Sequence, residues 1–82
     1  MRIRDIGPVR EEVTSVSFVR TAPDSWEIHF RLGGGAQDHA ITMHWPDEVR
    51  VWKSLEGAFR EAEKIFDLKQ YTIIINEKEQ QQ

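Results

Sequence analysis

The fold is decided by the stretch from Pro46 to Phe66, which reads PDEVRVWKSLEGAFREAEKIF. Its apolar residues recur at intervals of three and four, the spacing that places them on one side of a helix. The stripe consists of Trp52, Leu55, Phe59, Ala62 and Phe66, widened by Val51, Ala58 and Ile65. A one-sided helix needs an apolar surface to cover, and the strands before it supply that surface. The pattern predicts one long amphipathic helix packed on one face of a sheet.

The helix is predicted to begin at Pro46, because the fixed φ and missing N–H of proline suit the first helical position. Asp47 and Glu48 follow in the first turn, where exposed backbone N–H groups favour negative charge. Trp45 is a poor N-cap by residue type. An alternative start therefore lies one residue later, with Asp47 as the cap.

Three runs of alternating residues precede the helix and predict three strands. They cover Glu12 to Arg20, a run that begins at Ser25, and Ala40 to Trp45. In the second run, one face carries Trp26, Ile28, Phe30 and Leu32, and the other carries Glu27, His29 and Arg31. The short connections between the runs favour an antiparallel meander.

One register of the second and third strands satisfies both faces of the predicted sheet. On the apolar face it pairs Phe30 with Ile41 and Trp26 with Trp45. On the polar face it sets Glu27 opposite His44, and His29 opposite Thr42. Because a slip of one residue would expose the apolar side chains, this agreement supports the strand assignment.

A fourth strand is predicted from Tyr71 to Asn76, and its three consecutive isoleucines are apolar on both faces. Either both faces are covered within the sheet, or the second face meets a partner. The crossover through the helix makes this strand parallel to the third and places it beside the third or beyond the first. The opening segment, Arg2 to Ile6, is expected to add a short strand.

The predicted architecture is therefore α+β, a mainly antiparallel four-stranded sheet in the order β-β-β-α-β with one long helix on one face. Residues 1–76 form a single domain, and the polar residues 77–82 are expected to fray. The 82 residues include no cysteine, so stability must come from aromatic packing or from a second copy of the chain. No run approaches the ~20 apolar residues of a membrane span. The expected location is the cytoplasm.

The polar face of the predicted sheet carries the candidate residues for metal binding or proton transfer. Glu27, His29 and His44 form a cluster that would suit metal binding or proton transfer, but a flat open sheet lacks the required pocket. A solvated face with a cross-strand Glu–His pair is the favoured interpretation. We predict no enzyme, no catalytic residue, no cofactor and no metal, and keep an enzyme working at His29 and His44 only as a remote alternative.

Two further sites are disfavoured by the sequence pattern. An RNA-binding sheet needs exposed aromatic rings for base stacking. Here Phe18, Trp26, Phe30 and Trp45 share the parity of the aliphatic residues and should lie under the helix. The glycine triplet at 33–35 joins two strands and lacks the following helix and lysine of a phosphate loop.

The remaining hypothesis is a small non-enzymatic protein-interaction module, such as an accessory or inhibitory protein encoded by a mobile element. The two-faced fourth strand points to a protein partner, which includes a second copy bound by edge pairing or sheet stacking. Coverage of that strand by Met1, Ile3 and Ile6 within one chain is the alternative to a dimer. The residues predicted to bind a partner are Tyr71, Ile74, His29, Arg31 and His44.

A second hypothesis is a nucleic-acid-binding or regulatory module that uses the arginine-bearing N-terminal region and loops. Arginines are concentrated there at positions 2, 4, 10 and 20, but Asp5, Glu11 and Glu12 interrupt them. The net charge of −3 is not the basic footprint of a duplex-binding protein. Nucleic acid is therefore the less favoured partner, and no membrane partner is expected.

Overall fold

The computed structural model describes residues 1–33, 37–43, 48–66, 68 and 72–77. The chain begins with a short helix, α1 (Ile3–Ile6), and a 3-10 helix (Gly7–Glu12). Two long strands follow, β1 (Val13–Ala22) and β2 (Ser25–Leu32), and then a short one, β3 (His39–Ala40). The second helix is α2 (Leu55–Ile65), and the last strand is β4 (Thr72–Glu77).

The sheet has the order β3-β2-β1-β4. β2 is antiparallel to both of its neighbours, β3 and β1, whereas β4 lies parallel to β1. The last strand therefore lies beyond the first, which is one of the two positions that the crossover rule allowed. The α+β class with an antiparallel sheet is confirmed.

The predicted register between the second and third strands is wrong by two residues. Phe30 pairs with His39 and His29 with Ala40, whereas the sequence analysis placed Phe30 opposite Ile41. The N–H of Ile41 instead donates to the carbonyl of Ile28 at 3.0 Å. A shift of two residues leaves every side chain on its own face, so Ile41 is still fully buried.

The prediction of a single long helix is also wrong, because α2 begins only at Leu55 and a second helix, α1, precedes the sheet. Two residues before α2 instead form isolated β-bridges. Val49 forms an antiparallel bridge with Thr42, and Trp52 exchanges two backbone hydrogen bonds with Trp26 at 2.7 and 2.8 Å. Pro46, the predicted first helical residue, and Asp47, the alternative N-cap, lie outside the described residues.

Ser54 fixes the true start of α2. Its backbone is extended, with φ −141° and ψ 156°, and its hydroxyl oxygen accepts a hydrogen bond from the N–H of Gly57 at 3.0 Å. This is an N-cap that satisfies one of the unpaired donors of the first turn. A Cβ atom at Gly57 would lie 3.3 Å from that hydroxyl oxygen, so glycine leaves room for the cap.

Replacing Ser54 with alanine is expected to reduce the free energy of unfolding by about 1 kcal/mol, because the cap acceptor is lost. Urea denaturation of the two proteins measures the difference. Ser54→Asp keeps an acceptor at the same position and serves as the matched control. Equal unfolding midpoints for the wild type and Ser54→Ala would contradict the assignment of this cap.

The opening segment is a helix where a short strand was expected. The N–H of Asp5 donates to the carbonyl of Arg2 at 2.9 Å, which turns the chain into α1 and buries Ile6 completely. Only the first residues pair with the sheet. Arg2 forms a parallel bridge with Thr42, and the N–H of Thr42 donates to the carbonyl of Met1 at 2.8 Å.

The core lies between α2 and the apolar face of the sheet. The ring centroids of Phe18 and Phe59 are 5.6 Å apart, and those of Phe30 and Phe66 are 5.7 Å apart. Trp26 is buried as well, so the expectation that the large rings lie beneath the helix is confirmed for these strand residues. Trp45 lies outside the described residues.

Candidate protein-binding face of the sheet

Three members of the predicted partner-binding set, His29, Arg31 and Ile74, belong to the described strands. Ser17 of β1 pairs with His29 on one side and with Ile74 of β4 on the other. His29 and Ile74 therefore belong to the same row across the sheet. Arg31 lies one row further along β2, paired with Ser15.

Two members of the predicted set, Tyr71 and His44, lie outside the described residues. The expected pairing of Glu27 with His44 falls there too. The expected pairing of His29 with Thr42 is wrong, because His29 pairs with Ala40.

A group of four polar side chains occupies the polar face of the sheet along β2. The Nε2 atom of His29 lies 2.8 Å from Oε1 of Glu27, and Nε of Arg31 donates to Oδ1 of Asp38 at 2.7 Å. The second carboxylate oxygen of Asp38 lies 3.9 Å from Nδ1 of His29, which is too long for a hydrogen bond, so these are two hydrogen-bonded pairs that lie side by side. The two carboxylates and the guanidinium group bring charges of both signs together, so the group presents no strong field of one sign.

Asp38 is the member of this group that the sequence analysis missed. The predicted register placed Ala40 opposite Arg31, whereas the two-residue shift brings Asp38 to that place. The opposite charges of Arg31 and Asp38 were the available signal, because such pairs favour cross-strand positions. A register chosen to pair these charges would have been the observed one.

The centre of the face is closely packed. The side chain of His29 is only 20% exposed, and Ser17 is buried beside it. Nδ1 of His29 is buried and has no hydrogen-bond partner in the part of the chain that the structure describes. A serine nucleophile needs a hydrogen bond to its base, so Ser17 and His29 do not form an activated pair.

The described residues also give no metal site: within these ranges, no three His, Cys, Asp or Glu side chains are arranged to hold an ion. What the face offers is a set of hydrogen-bond donors and acceptors around a packed centre. Such a surface can orient a protein partner through polar contacts.

The edge beside this face is formed by β4, the last strand in the sheet order. Ile75 pairs with Phe18, and the two residues differ sharply in exposure. Phe18 is fully buried beneath α2, whereas Ile75 is 58% exposed. Phe59 and Phe66 pack on rings of β1 and β2, and Ile75 extends the apolar surface beyond the cover they provide.

No family model, curated protein or solved structure matches this chain. Among the described residues, none of the helices has the length and apolar character that crossing a membrane requires.

Proposed function

We propose that this protein is a small non-enzymatic protein-interaction module that binds its partner at β4. The partner contributes an extended segment that pairs with the outer edge of this strand. Main-chain hydrogen bonds supply affinity in this mode of recognition, and alternate side chains supply specificity. An accessory or inhibitory role suits a module of this kind.

The observation that carries the proposal is the exposure of Ile75 on an edge strand. Natural proteins protect sheet edges with charges, proline, bulges or a covering segment, because an unprotected edge pairs with other chains. The edge strand β4 carries three consecutive isoleucines, and its one charged residue, Glu77, is the last of the strand. Among the described residues, no strand lies on the outer side of β4, and an added strand there would cover the Ile75 side chain.

The polar group on β2 lies on the face of the sheet opposite to α2 and is separated from β4 by β1. His29 and Ile74 flank Ser17 in one row, and Arg31 lies in the next. A partner that extends from β4 across this face would meet these hydrogen-bonding groups as a second contact, because Ile75 pairs with Phe18 on the face that α2 covers.

Substituting Ile75 with lysine tests the proposal, because a charge on an edge strand opposes pairing with another chain. Partner capture from a lysate of the native host is expected to fall by about tenfold or more, and any homodimer detected by light scattering should dissociate. The loss of one buried aliphatic side chain from an interface accounts for an effect of this size.

Val51→Lys is the matched control, since Val51 is also an exposed aliphatic residue, 49% accessible, and lies outside β4. Its capture and its mass in solution should equal those of the wild type. Equal behaviour of Ile75→Lys and the wild type in both measurements would overturn the proposal.

The second candidate remains a nucleic-acid-binding or regulatory module. One observation favours it: Arg2 and Arg4 of the N-terminal region meet Arg50 around a cleft. Arg20 lies elsewhere, over the ring of Trp26 and against the carbonyl of Pro23. The arginines thus form a local group instead of the continuous track that a nucleic-acid backbone follows.

A further inference from the structure

An open cleft of about 600 Å³ lies between the start of the chain and the segments that precede α2. The described residues that line it are Arg2, Ile3, Arg4, Thr42, Met43 and Arg50. Two of these side chains are apolar and three carry guanidinium groups. The volume lies within the range of sites that hold small molecules.

Backbone pairing holds the walls of the cleft in place. Thr42 bridges both Arg2 and Val49, so three segments distant in sequence meet at this residue. The N–H of Met43 donates to the carbonyl of Glu48 at 2.7 Å, and the N–H of Arg50 donates to the carbonyl of Ile41 at 2.8 Å. A site built on paired backbone is largely formed before its ligand arrives, which lowers the cost of binding.

The three guanidinium groups have different surroundings. The guanidinium carbon of Arg50 lies 5.0 Å from the ring centroid of Trp52, and this stacking orients the group. Arg2 contacts Asp5 at 3.5 Å, but both side chains are substantially exposed, so water screens the pair. Arg4 is exposed. Among the described residues that line the cleft, three carry guanidinium groups and none carries a carboxylate.

We infer that this cleft binds a small organic anion with an apolar body and a carboxylate or phosphate head. The apolar body would contact Ile3 and Met43, and the head would accept hydrogen bonds from the guanidinium groups. Arginine suits both head groups, because its planar donors match two oxygens at once. The inference concerns a site separate from β4 and does not depend on the proposed protein interface.

The hydroxyl of Thr42 supports a polar ligand atom at this place. Its oxygen is buried and has no hydrogen-bond partner among residues 1–33, 37–43, 48–66, 68 and 72–77. Buried hydroxyl groups normally find a partner. Rotation about the Cα–Cβ bond would let this hydroxyl donate to a ligand oxygen in the cleft.

NMR titration of the ¹⁵N-labelled chain with octyl phosphate and with octanoate, both below their micelle concentrations, tests the inference. Saturable shifts are expected at the amides of Ile3, Thr42, Met43 and Arg50. Octyl glucoside, which lacks the charge, and inorganic phosphate, which lacks the apolar body, should each bind about tenfold more weakly or worse. A preference between the two alkyl anions would assign the head group.

The double variant Arg4→Gln and Arg50→Gln keeps the side-chain length and removes two charges. Its affinity for octyl phosphate should fall by about tenfold or more, because charge-assisted hydrogen bonds are lost. Arg10→Gln, outside the cleft, should leave the affinity unchanged. The inference would be overturned if the double variant bound octyl phosphate as tightly as the wild type does, or if octyl glucoside bound as tightly as octyl phosphate. It would also be overturned if a single-stranded oligonucleotide bound more tightly than octyl phosphate and Arg10→Gln weakened that binding as much as the double variant does.

Discussion

Replacing Phe30 with alanine is expected to reduce the free energy of unfolding by about 3–5 kcal/mol, the usual cost of deleting a buried aromatic ring. Phe30 is fully buried and joins three elements. Its ring is stacked on His39 of β3, with centroids 5.5 Å apart, and packs against Phe66 at the end of α2. Its backbone pairs with Val16 of β1. The loss therefore weakens the contact between the sheet and the helix.

A chain of 82 residues has a free energy of unfolding of about 4–12 kcal/mol. Phe30→Ala should therefore unfold at much lower urea concentration, or be largely unfolded in water. Phe30→Leu keeps most of the volume and remains measurable if the alanine variant does not fold. Val51→Ala, at an exposed position, should change stability by less than about 0.5 kcal/mol. A loss below 1 kcal/mol for Phe30→Ala would contradict the packing of this ring.

The second large effect is expected at Trp52, where two substitutions separate the side chain from the backbone. Trp52→Ala removes a ring that packs partly against the core and should cost about 2–3 kcal/mol, because the site is only partly buried. Trp52→Pro removes the ring and also the N–H that donates to the carbonyl of Trp26 at 2.8 Å. Leaving that carbonyl without its partner should add about 1–3 kcal/mol. Urea denaturation measures both losses.

Amide hydrogen exchange distinguishes this pairing from the helix that the sequence predicts. The N–H of Trp26 donates to the carbonyl of Trp52, so its protection depends on that strand contact. Relative to global stability, its exchange should accelerate more in Trp52→Pro than in Trp52→Ala. Identical relative protection in the two variants would place Trp52 outside the sheet.

Much of the sheet could be predicted because side chains alternate along strands. The pattern around Ile28 and Phe30 identified the buried face of β2 correctly. The same periodicity could not fix the pairing with β3, because registers that differ by two residues give identical faces. A contact between residues distant in sequence decides between these registers. Trp52 pairs with Trp26 at one end of β2, and β3 pairs further along the strand, at His29 and Phe30.

The start of α2 was missed for a related reason. Trp52 falls three residues before Leu55, so a residue that forms an isolated β-bridge continues the helical spacing by coincidence. The preceding Val49 and Val51 favour extended structure, and Ser54 is a better N-cap than any residue near Pro46. Local propensity at these residues would have predicted the later start.

The polar face was identified from the sequence, but its connections were not. Alternation placed His29 and Arg31 together, and the structure pairs one of them with Glu27 and the other with Asp38. The arginine cleft could not be predicted, because Arg4 and Arg50 are distant in sequence and meet only through the bridges of Thr42. Contacts of this kind depend on the tertiary fold, which periodicity does not encode.

The position of β4 also bears on how the chain folds during synthesis. Strand β1 pairs with β2, the next strand to leave the ribosome, but its other neighbour follows only after α2. Until then the nascent chain carries an incomplete sheet in which Val16 and Phe18 lack the cover of α2, and the β4 side of β1 has no neighbour. Incomplete sheets of this type are prone to aggregation and are substrates for chaperones. Slow translation between β2 and β4 would prolong that vulnerable interval.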